Sequence, residues 1–323
     1  MKILISADME GISGIVAGEQ VDSRSGKEFE WARELMTQEV NYAIEGAFDG
    51  GAKEVIVNDS HGGMRNIIPD KLHPEATLIS GSLKELSMVQ GLSNDVDGLF
   101  LVGYHGRRGT RGSILDHTYS GRVLRRLKIN EVELGETGMN ALVAGEFDVP
   151  VLLVTGDNTV CKEAGELLEG VYTVQVKEGL SRYAAHCLHP QKAGELIKQK
   201  AKEAVKDISG FEPFKLEAPY RLELEVPERR IDDIELGQRG ELVLSAISGV
   251  SFPFEVERIT PQTRSSDGST RFVVEANFLE ESLAFRPGMQ GVGKIDVGED
   301  RLLSLWTDEL RHWLRLNVWR WWG

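Results

Sequence analysis

Short apolar runs alternate with longer amphipathic stretches over roughly the first 210 residues, and this alternation limits the folds that the chain can adopt. Four runs are typical of strands buried on both faces: Ile3–Ala7, Glu54–Val57, Leu99–Gly103 and Val151–Thr155. The stretches with helical spacing are Phe29–Phe48, Glu136–Phe147, Val160–Leu168 and Pro190–Val205. A hairpin is predicted from Arg122–Ile129 and Glu131–Leu134. The alternation predicts an α/β layered domain with a largely parallel sheet.

The pattern changes after about residue 215, where short strands with turn residues between them replace the helices. The predicted strands are Arg221–Val226, Glu241–Ser245, Phe252–Ile259, Thr270–Asn277 and Gly291–Val297. They predict a small antiparallel, β-barrel-like domain. Apolar residues near helical spacing then predict a terminal amphipathic helix. We therefore expect three parts: a metallohydrolase-like domain (1–215), a β domain (216–299) and a Trp-rich tail (300–323).

Composition excludes several classes of protein. The chain of 323 residues has a net charge of −14, which disfavours binding to nucleic acid because that binding depends on cationic side chains. Its two cysteines, Cys161 and Cys187, have no metal-binding or redox spacing, which predicts a reduced, cytoplasmic protein. No apolar window of about 18 residues predicts a membrane-spanning helix.

The tail contains five of the six tryptophans, with arginines among them. This composition fits a helix at a membrane interface, and it also fits a helix packed on protein. The acidic charge of the whole chain favours packing, because an anionic membrane surface would repel it. Membrane contact by the tail is therefore possible but not favoured.

Polar side chains follow three of the predicted strands. Asp8 and Glu10 follow the first strand, and residues two apart in an extended chain point to the same side, so both carboxylates can converge. His61 and His105 follow the next two. Ligands of open α/β sheets bind at the carboxyl ends of the strands. Two carboxylates and two imidazoles there suit zinc or a similar divalent ion, although each residue alone is more often part of a turn.

His117 and Glu136 are two further candidates. His117 follows a loop rich in glycine and arginine, Gly106–Gly112, which is suited to border a pocket. A histidine beside a pocket can donate a proton or stabilise an oxyanion. The alternative is a surface histidine beside the carboxylate of Asp116. Glu136 begins a predicted helix, where helix capping explains a carboxylate as well as metal binding does.

Six motifs, in this order along the chain, resemble the zinc-dependent D-aminopeptidase family over residues 1–215. They are Asp8-Met9-Glu10-Gly11-Ile12-Ser13-Gly14, Asn58-Asp59-Ser60-His61-Gly62, Leu72-His73-Pro74, Gly103-Tyr104-His105, Asp116-His117-Thr118 and Leu134-Gly135-Glu136-Thr137-Gly138-Met139-Asn140-Ala141. The resemblance implies two zinc ions per chain, with Asp8 as a bridging ligand. The other implied ligands are Glu10, His61, His105 and Glu136. It also implies that His117 is the catalytic histidine.

The same resemblance implies a cytoplasmic, ring-shaped homo-oligomer that removes N-terminal D-amino acids from short peptides. The C-terminal part, from about residue 220 to residue 323, resembles a different family. It is similar to the β-barrel end of periplasmic adaptor (membrane-fusion) proteins of haemolysin-type export systems, through motifs such as Arg286-Pro287-Gly288-Met289. Two alternatives to the aminopeptidase therefore remain. One is a non-catalytic binding or adaptor fusion protein with a vestigial hydrolase half, and the other is an amidase on the same scaffold.

Overall fold

A computed structural model describes residues 1–119, 126–217, 222–227, 235–244, 251–262, 271–278 and 291–295 of the protein. The Trp-rich tail lies outside these ranges, so its amphipathic helix stays a prediction. Within the described ranges, no helix combines the length and the apolar character needed to cross a membrane.

The secondary structure follows the predicted alternation. The strands are β1 (Lys2–Ala7), β2 (Glu54–Asp59), β3 (Thr77–Ile79), β4 (Gly98–Tyr104), β5 (Arg126–Ile129), β6 (Val132–Glu133), β7 (Val151–Asp157), β8 (Tyr172–Ser181), β9 (Ala184–Cys187), β10 (Leu222–Pro227), β11 (Arg239–Leu244), β12 (Ser251–Gln262), β13 (Arg271–Phe278) and β14 (Gly291–Ile295). The α-helices are α1 (Gly18–Val21), α2 (Lys27–Gly50), α3 (Glu136–Glu146), α4 (Asn158–Leu167) and α5 (Pro190–Lys206).

The first sheet has the strand order β3-β2-β1-β4-β7-β8-β9. Neighbouring strands from β3 to β8 pair in parallel, and β9 is antiparallel to β8. The carboxyl ends of β1, β2, β4 and β7 therefore lie at one edge, which is the edge that carries the predicted site residues. The predicted α/β fold with a largely parallel sheet is confirmed.

Helices cover both faces of this sheet. Ile3 and Ile5 of β1 belong to a buried cluster shared with α2 and α5, whereas Leu4 belongs to a second cluster shared with α3 and α4. Side chains alternate in direction along a strand, so a strand that is covered on both faces is a continuous apolar run. This is why the sequence pattern located these strands.

The second sheet is antiparallel and has the order β14-β11-β12-β13-β10-β5-β6, with β14 and β6 at its two edges. The five C-terminal strands begin within two residues of their predicted starts. The predicted hairpin is β5 and β6, and its strand β5 pairs with β10, with Ile129 opposite Leu222. The hairpin from residues 1–215 thus joins the C-terminal sheet. The domain boundaries at 215 and 299 stay predictions.

Candidate active site

The ends of β1 and β4 come into direct contact. The amide of Asp8 donates to the carbonyl oxygen of Val102 at 2.8 Å, and the amide of Gly11 donates to that of Gly103 at 2.8 Å. A Cβ on Gly11 would lie 1.9 Å from the carbonyl oxygen of Tyr104, and one on Gly103 would lie 2.2 Å from that of Asp8. Because neither residue has a side chain, the two strand ends can approach closely enough to form one site.

A buried carboxylate fixes the loop that follows β2 and carries His61. Asp59 accepts hydrogen bonds from the amide of Ile67 and from Nδ2 of Asn66, both at 2.7 Å. The same Asn66 amide group donates to the carbonyl oxygen of His61 at 2.7 Å. The loop is thereby closed on itself, which holds His61 at the end of the strand.

Glu136 is the first residue of α3, and its carboxylate points into the site. Its Oε1 accepts a hydrogen bond from the amide of Tyr119 at 2.8 Å, and its Oε2 lies 3.7 Å from Nε2 of His105. Capping of the helix amides therefore does not account for this orientation. The neighbouring Glu133 pairs with Arg126 at 3.0 Å instead.

The two carboxylate oxygens of Asp8 face different groups of side chains. Oδ1 lies 3.3 Å from Nδ1 of His61, which is 3.0 Å from Oε2 of Glu10. Oδ2 lies 3.7 Å from Nε2 of His105, which is also 3.7 Å from Oε2 of Glu136. Ligand atoms around a tetrahedral zinc ion, with bonds of ~2.0–2.2 Å, are about 3.3–3.6 Å apart. Each of these four distances therefore suits a pair of metal ligands.

Each of three histidines places one ring nitrogen against a backbone carbonyl. The pairs are His61 Nε2 with Val21 at 2.9 Å, His105 Nδ1 with Gly106 at 3.0 Å and His117 Nδ1 with Leu115 at 3.1 Å. Because a carbonyl only accepts, each of these nitrogens carries a proton. In the neutral ring the other nitrogen then has a free lone pair, which is what a metal ligand or a general base needs.

Two sets of contacts fix the part of the loop that precedes His117. At its start, Oδ2 of Asp157 accepts a hydrogen bond from the amide of Ile114 at 2.9 Å. Further along, the amide of Leu115 donates to the carbonyl oxygen of Arg182 at 2.9 Å, and Nη1 of Arg182 lies 3.3 Å from Oδ1 of Asp116. The turn between β8 and β9 thus clamps the residues that immediately precede His117.

His117 reaches both the site and the solvent. Its ring stacks on that of His105 with 4.4 Å between the centroids, and its Nε2 lies 3.6 Å from Oε1 of Glu136. The side chain of His117 is 24% exposed, whereas that of His105 is 1% exposed. His117 is therefore the histidine of this pair that a molecule from solvent can contact.

The site buries three carboxylates, those of Asp8, Glu10 and Glu136. Burial raises the pKa of Asp8 to about 6, and the charge of Glu10 adds to this effect. Burial acts to lower the pKa of His105, but the carboxylates of Glu136, Glu10 and Asp8 outweigh it and raise that pKa to about 9. The carboxylates likewise hold the pKa of His61 well above its usual value, against the effect of burial. The buried negative charge thus favours cations within the site.

The side chains present fit a divalent metal. Among the described residues, Oδ2 of Asp8 and Nε2 of His105 are buried without a hydrogen-bond partner, although buried polar atoms are nearly always partnered. Ligand atoms of Asp8, Glu10 and His105 lie within 4.8 Å of one another, as do those of His105, His117 and Glu136. A cation would satisfy both unpartnered atoms, and carboxylate with imidazole is a donor set that zinc accepts.

The structure brings all six candidate residues from the sequence to this edge of the sheet. Sequence reasoning missed two residues that anchor the His117 loop, Asp157 and Arg182. Asp157 carried a signal, since it ends β7 at the same edge as the candidate ligands. No sequence signal marks Arg182, because its contact with Asp116 depends on how the hairpin of β8 and β9, which is distant in sequence, packs against the His117 loop.

The chain is similar to known D-aminopeptidases. The sequence profile of the peptidase M55 family, described as D-aminopeptidase, matches residues 1–234. A D-aminopeptidase of Bacillus subtilis (strain 168) is 44% identical over 282 residues, which are 87% of this chain and 94% of that protein. The structure of the Zn-dependent D-aminopeptidase DppA from Bacillus subtilis, a self-compartmentalizing protease, matches with a TM-score of 0.68 and 37% identity. The match covers 85% of this chain and 92% of that one.

A match over 282 residues extends beyond the first 215, so the similarity to D-aminopeptidases includes part of the C-terminal segment. A membrane fusion protein from Streptococcus pneumoniae matches 34% of this chain and 60% of its own, with a TM-score of 0.21 and 9% identity. That similarity is too low to support an argument, and the adaptor-like end stays a prediction. On the profile match and the identity to the curated relative, the chain belongs to the peptidase M55 family of D-aminopeptidases.

Proposed function

We propose that this chain is a zinc-dependent aminopeptidase that hydrolyses N-terminal D-amino acids from short peptides. Family membership supports the reaction class. The observation that carries the proposal is that Asp8 presents its two oxygens to different potential ligands, Oδ1 to His61 and Oδ2 to His105. A carboxylate placed in this way suits a site for two metal ions with Asp8 between them.

In this proposal Glu10 and His61 complete the ligands of one ion, and His105 and Glu136 complete those of the other. Bound zinc polarises a peptide carbonyl and makes a water molecule nucleophilic near neutral pH, which is the chemistry that amide hydrolysis needs. Three of these ligands are held by contacts outside the site: Asp8 by its backbone bond to Val102, His61 by its closed loop and Glu136 by the amide of Tyr119.

His117 is the proposed catalytic histidine. The carbonyl oxygen of Leu115 orients its ring by accepting a hydrogen bond from Nδ1–H, so Nε2 is the atom that can accept or return a proton. Partial exposure lets a substrate reach this atom. In its protonated form His117 can stabilise the developing oxyanion or deliver a proton to the leaving amine.

Hydrolysis of matched peptides tests the proposal. Zinc-loaded protein should release the first residue of D-Ala-Gly-Gly faster than that of L-Ala-Gly-Gly, a chelator should abolish the reaction, and zinc should restore it. N-acetyl-D-Ala-Gly-Gly is the control for the free amine, and D-alaninamide tests the amidase alternative. A zinc-loaded protein that cleaves none of the free-amine D-peptides would refute the aminopeptidase, and cleavage of the amide alone would favour an amidase.

We further infer a cytoplasmic, ring-shaped homo-oligomer. The support for the oligomer is the description of the relative DppA as self-compartmentalizing. The support for the compartment is that Cys161 and Cys187 are both free thiols. Sedimentation equilibrium should give a mass that is a multiple of the 35.8 kDa chain. A mass of one chain at micromolar concentration would contradict this inference without affecting the proposed chemistry.

The alternative of a non-catalytic adaptor with a vestigial hydrolase half is less well supported. A vestigial site would be free to lose its ligands, yet the six candidate side chains are present and converge. The same peptide assay separates the two possibilities.

A further inference from the structure

Lys177 of β8 is a buried cation beside the segment that follows Asp8. Lys177 is 1% exposed. Its Nζ donates to three backbone carbonyl oxygens, those of Glu10 at 2.5 Å, Ile12 at 2.8 Å and Ile15 at 2.6 Å. A lysine ammonium has three N–H donors, so this one segment, residues 10–15, uses all of them.

Within the part of the chain that the structure describes, the charge of Lys177 is not part of a direct ion pair. None of the acidic side chains in the described ranges lies within salt-bridge distance of its Nζ. A buried charge without a partner is costly, and it persists only where polar groups compensate it. Here three carbonyl dipoles compensate it at hydrogen-bond distance, and the charges of Asp157, Glu39 and Glu10 assist from further away. The cost of burying the ammonium therefore depends on the shape of segment 10–15.

Segment 10–15 is held from other sides as well. The amide of Ser13 donates to Oε1 of Glu39 at 2.8 Å, and its hydroxyl donates to the carbonyl oxygen of Leu188 at 2.6 Å. Lys177 contacts the carbonyls of the segment, whereas Glu39 contacts an amide. Among these contacts, that of Lys177 is the one made directly to a candidate ligand residue, Glu10.

Glu10 needs such a tether because of its neighbours. Its carboxylate is buried beside that of Asp8, and like charges at short distance repel. The ring of His61, with Nδ1 3.0 Å from Oε2 of Glu10, and two further histidines outweigh this repulsion and the effect of burial, so the pKa of Glu10 is held well below its usual value. A shift of segment 10–15 would move the carboxylate out of this arrangement. A cation that grips the Glu10 carbonyl from behind opposes this movement by its hydrogen bond and by its charge.

We propose that Lys177 is a positioning residue, which holds segment 10–15 through three backbone carbonyls so that Glu10 stays at the metal centre. The role in metal binding rests on the function proposed above, whereas the role in ordering the segment does not. Lys177 reaches no substrate in this arrangement and acts only through the segment that it holds.

The test compares Lys177→Met, which keeps the length of the side chain and removes its donors, with Ile197→Ala. Ile197 lies in α5, is fully buried and has an apolar side chain that donates no hydrogen bond to segment 10–15, so its truncation controls for lost stability. In K177M we expect zinc affinity, measured by chelator competition, to fall ~10–100-fold. We also expect the cobalt(II) absorption spectrum to change. In I197A both should stay at wild-type values while the melting temperature falls.

Hydrogen exchange in the metal-free proteins provides a second readout. Amides of residues 10–15 should exchange faster in K177M than in I197A. Lys177→Arg retains the charge and should recover part of the protection from hydrogen exchange and part of the zinc affinity. If K177M fails to fold, K177R and Lys177→Gln are compared with I197A in the same way.

Zinc affinity and segment exchange in K177M that match those of I197A would overturn the proposal. A wild-type protein that binds no zinc would refute the proposed metal site. In that case the exchange comparison would still decide whether Lys177 orders the segment.

Discussion

Replacement of Glu39 with glutamine should stabilise the protein relative to the wild type as the pH rises. Glu39 lies in α2 and is 2% exposed. Its Oε1 accepts the Ser13 amide, and its Oε2 is buried without a partner among the described residues. Burial raises the pKa of this carboxyl from 4.5 to about 7, against smaller lowering effects from Ser13 and Lys177.

The size of the effect follows from this pKa shift. A carboxyl whose folded-state pKa is raised contributes stability that is fully present below its unfolded pKa, and this contribution is lost as the pH rises through about 7. One pKa unit corresponds to about 1.4 kcal/mol. Between pH 5.5 and pH 8 the wild type should therefore lose roughly 2 kcal/mol relative to a variant that cannot ionise at this position.

Urea unfolding of chelator-treated wild type and Glu39→Gln, at several values between pH 5.5 and pH 8, measures this difference. If the glutamine amide itself lowers the free energy of unfolding, it does so equally at every pH. The change with pH in the difference between the two free energies of unfolding therefore reports the ionisation of Glu39. Glu28→Gln, at an exposed position of the same helix, is the matched control and should follow the wild type. A difference in free energy of unfolding between E39Q and wild type that does not change from pH 5.5 to pH 8 would refute the reasoning.

The remaining predictions concern the site. His117→Ala should lower kcat ~10²–10⁴-fold at unchanged zinc content, whereas His105→Ala should lose zinc; equal zinc loss in both would identify His117 as a ligand. Gly11→Ala should lose zinc and stability, because its Cβ would lie 1.9 Å from the Tyr104 carbonyl oxygen. Its control, Gly165→Ala in α4, meets nothing within 4 Å and should stabilise the protein by ~0.5–1 kcal/mol. G11A with full zinc content and a wild-type melting temperature would contradict the close contact of β1 and β4.

The central strands could be predicted because helices cover both of their faces and leave continuous apolar runs. The same reasoning missed β8, since Lys177 interrupts its pattern. The carbonyls that make a buried lysine tolerable belong to residues 10–15, and no local pattern in β8 reports them. The pairing of β5 with β10 was missed for a similar reason, because it joins strands far apart in the sequence.

The candidate site could be predicted in outline, because parallel strands bring their carboxyl ends to a common edge. Spacing alone left Glu136 open between a helix cap and a ligand, and the amide of Tyr119, on a separate loop, fixes its orientation. The two-sided placement of Asp8 also needs distances between atoms of different strands. Such contacts depend on tertiary packing, which residue types and spacing do not contain.

Zinc stoichiometry of the purified protein tests the central claim most directly. After zinc loading and desalting, elemental analysis should give about two ions per chain for the wild type. Asp8→Ala, which removes both oxygens between the two ligand groups, should lose most of the zinc. A wild type that retains no zinc, or an Asp8→Ala variant that retains both ions, would contradict a two-zinc centre with Asp8 as its bridge.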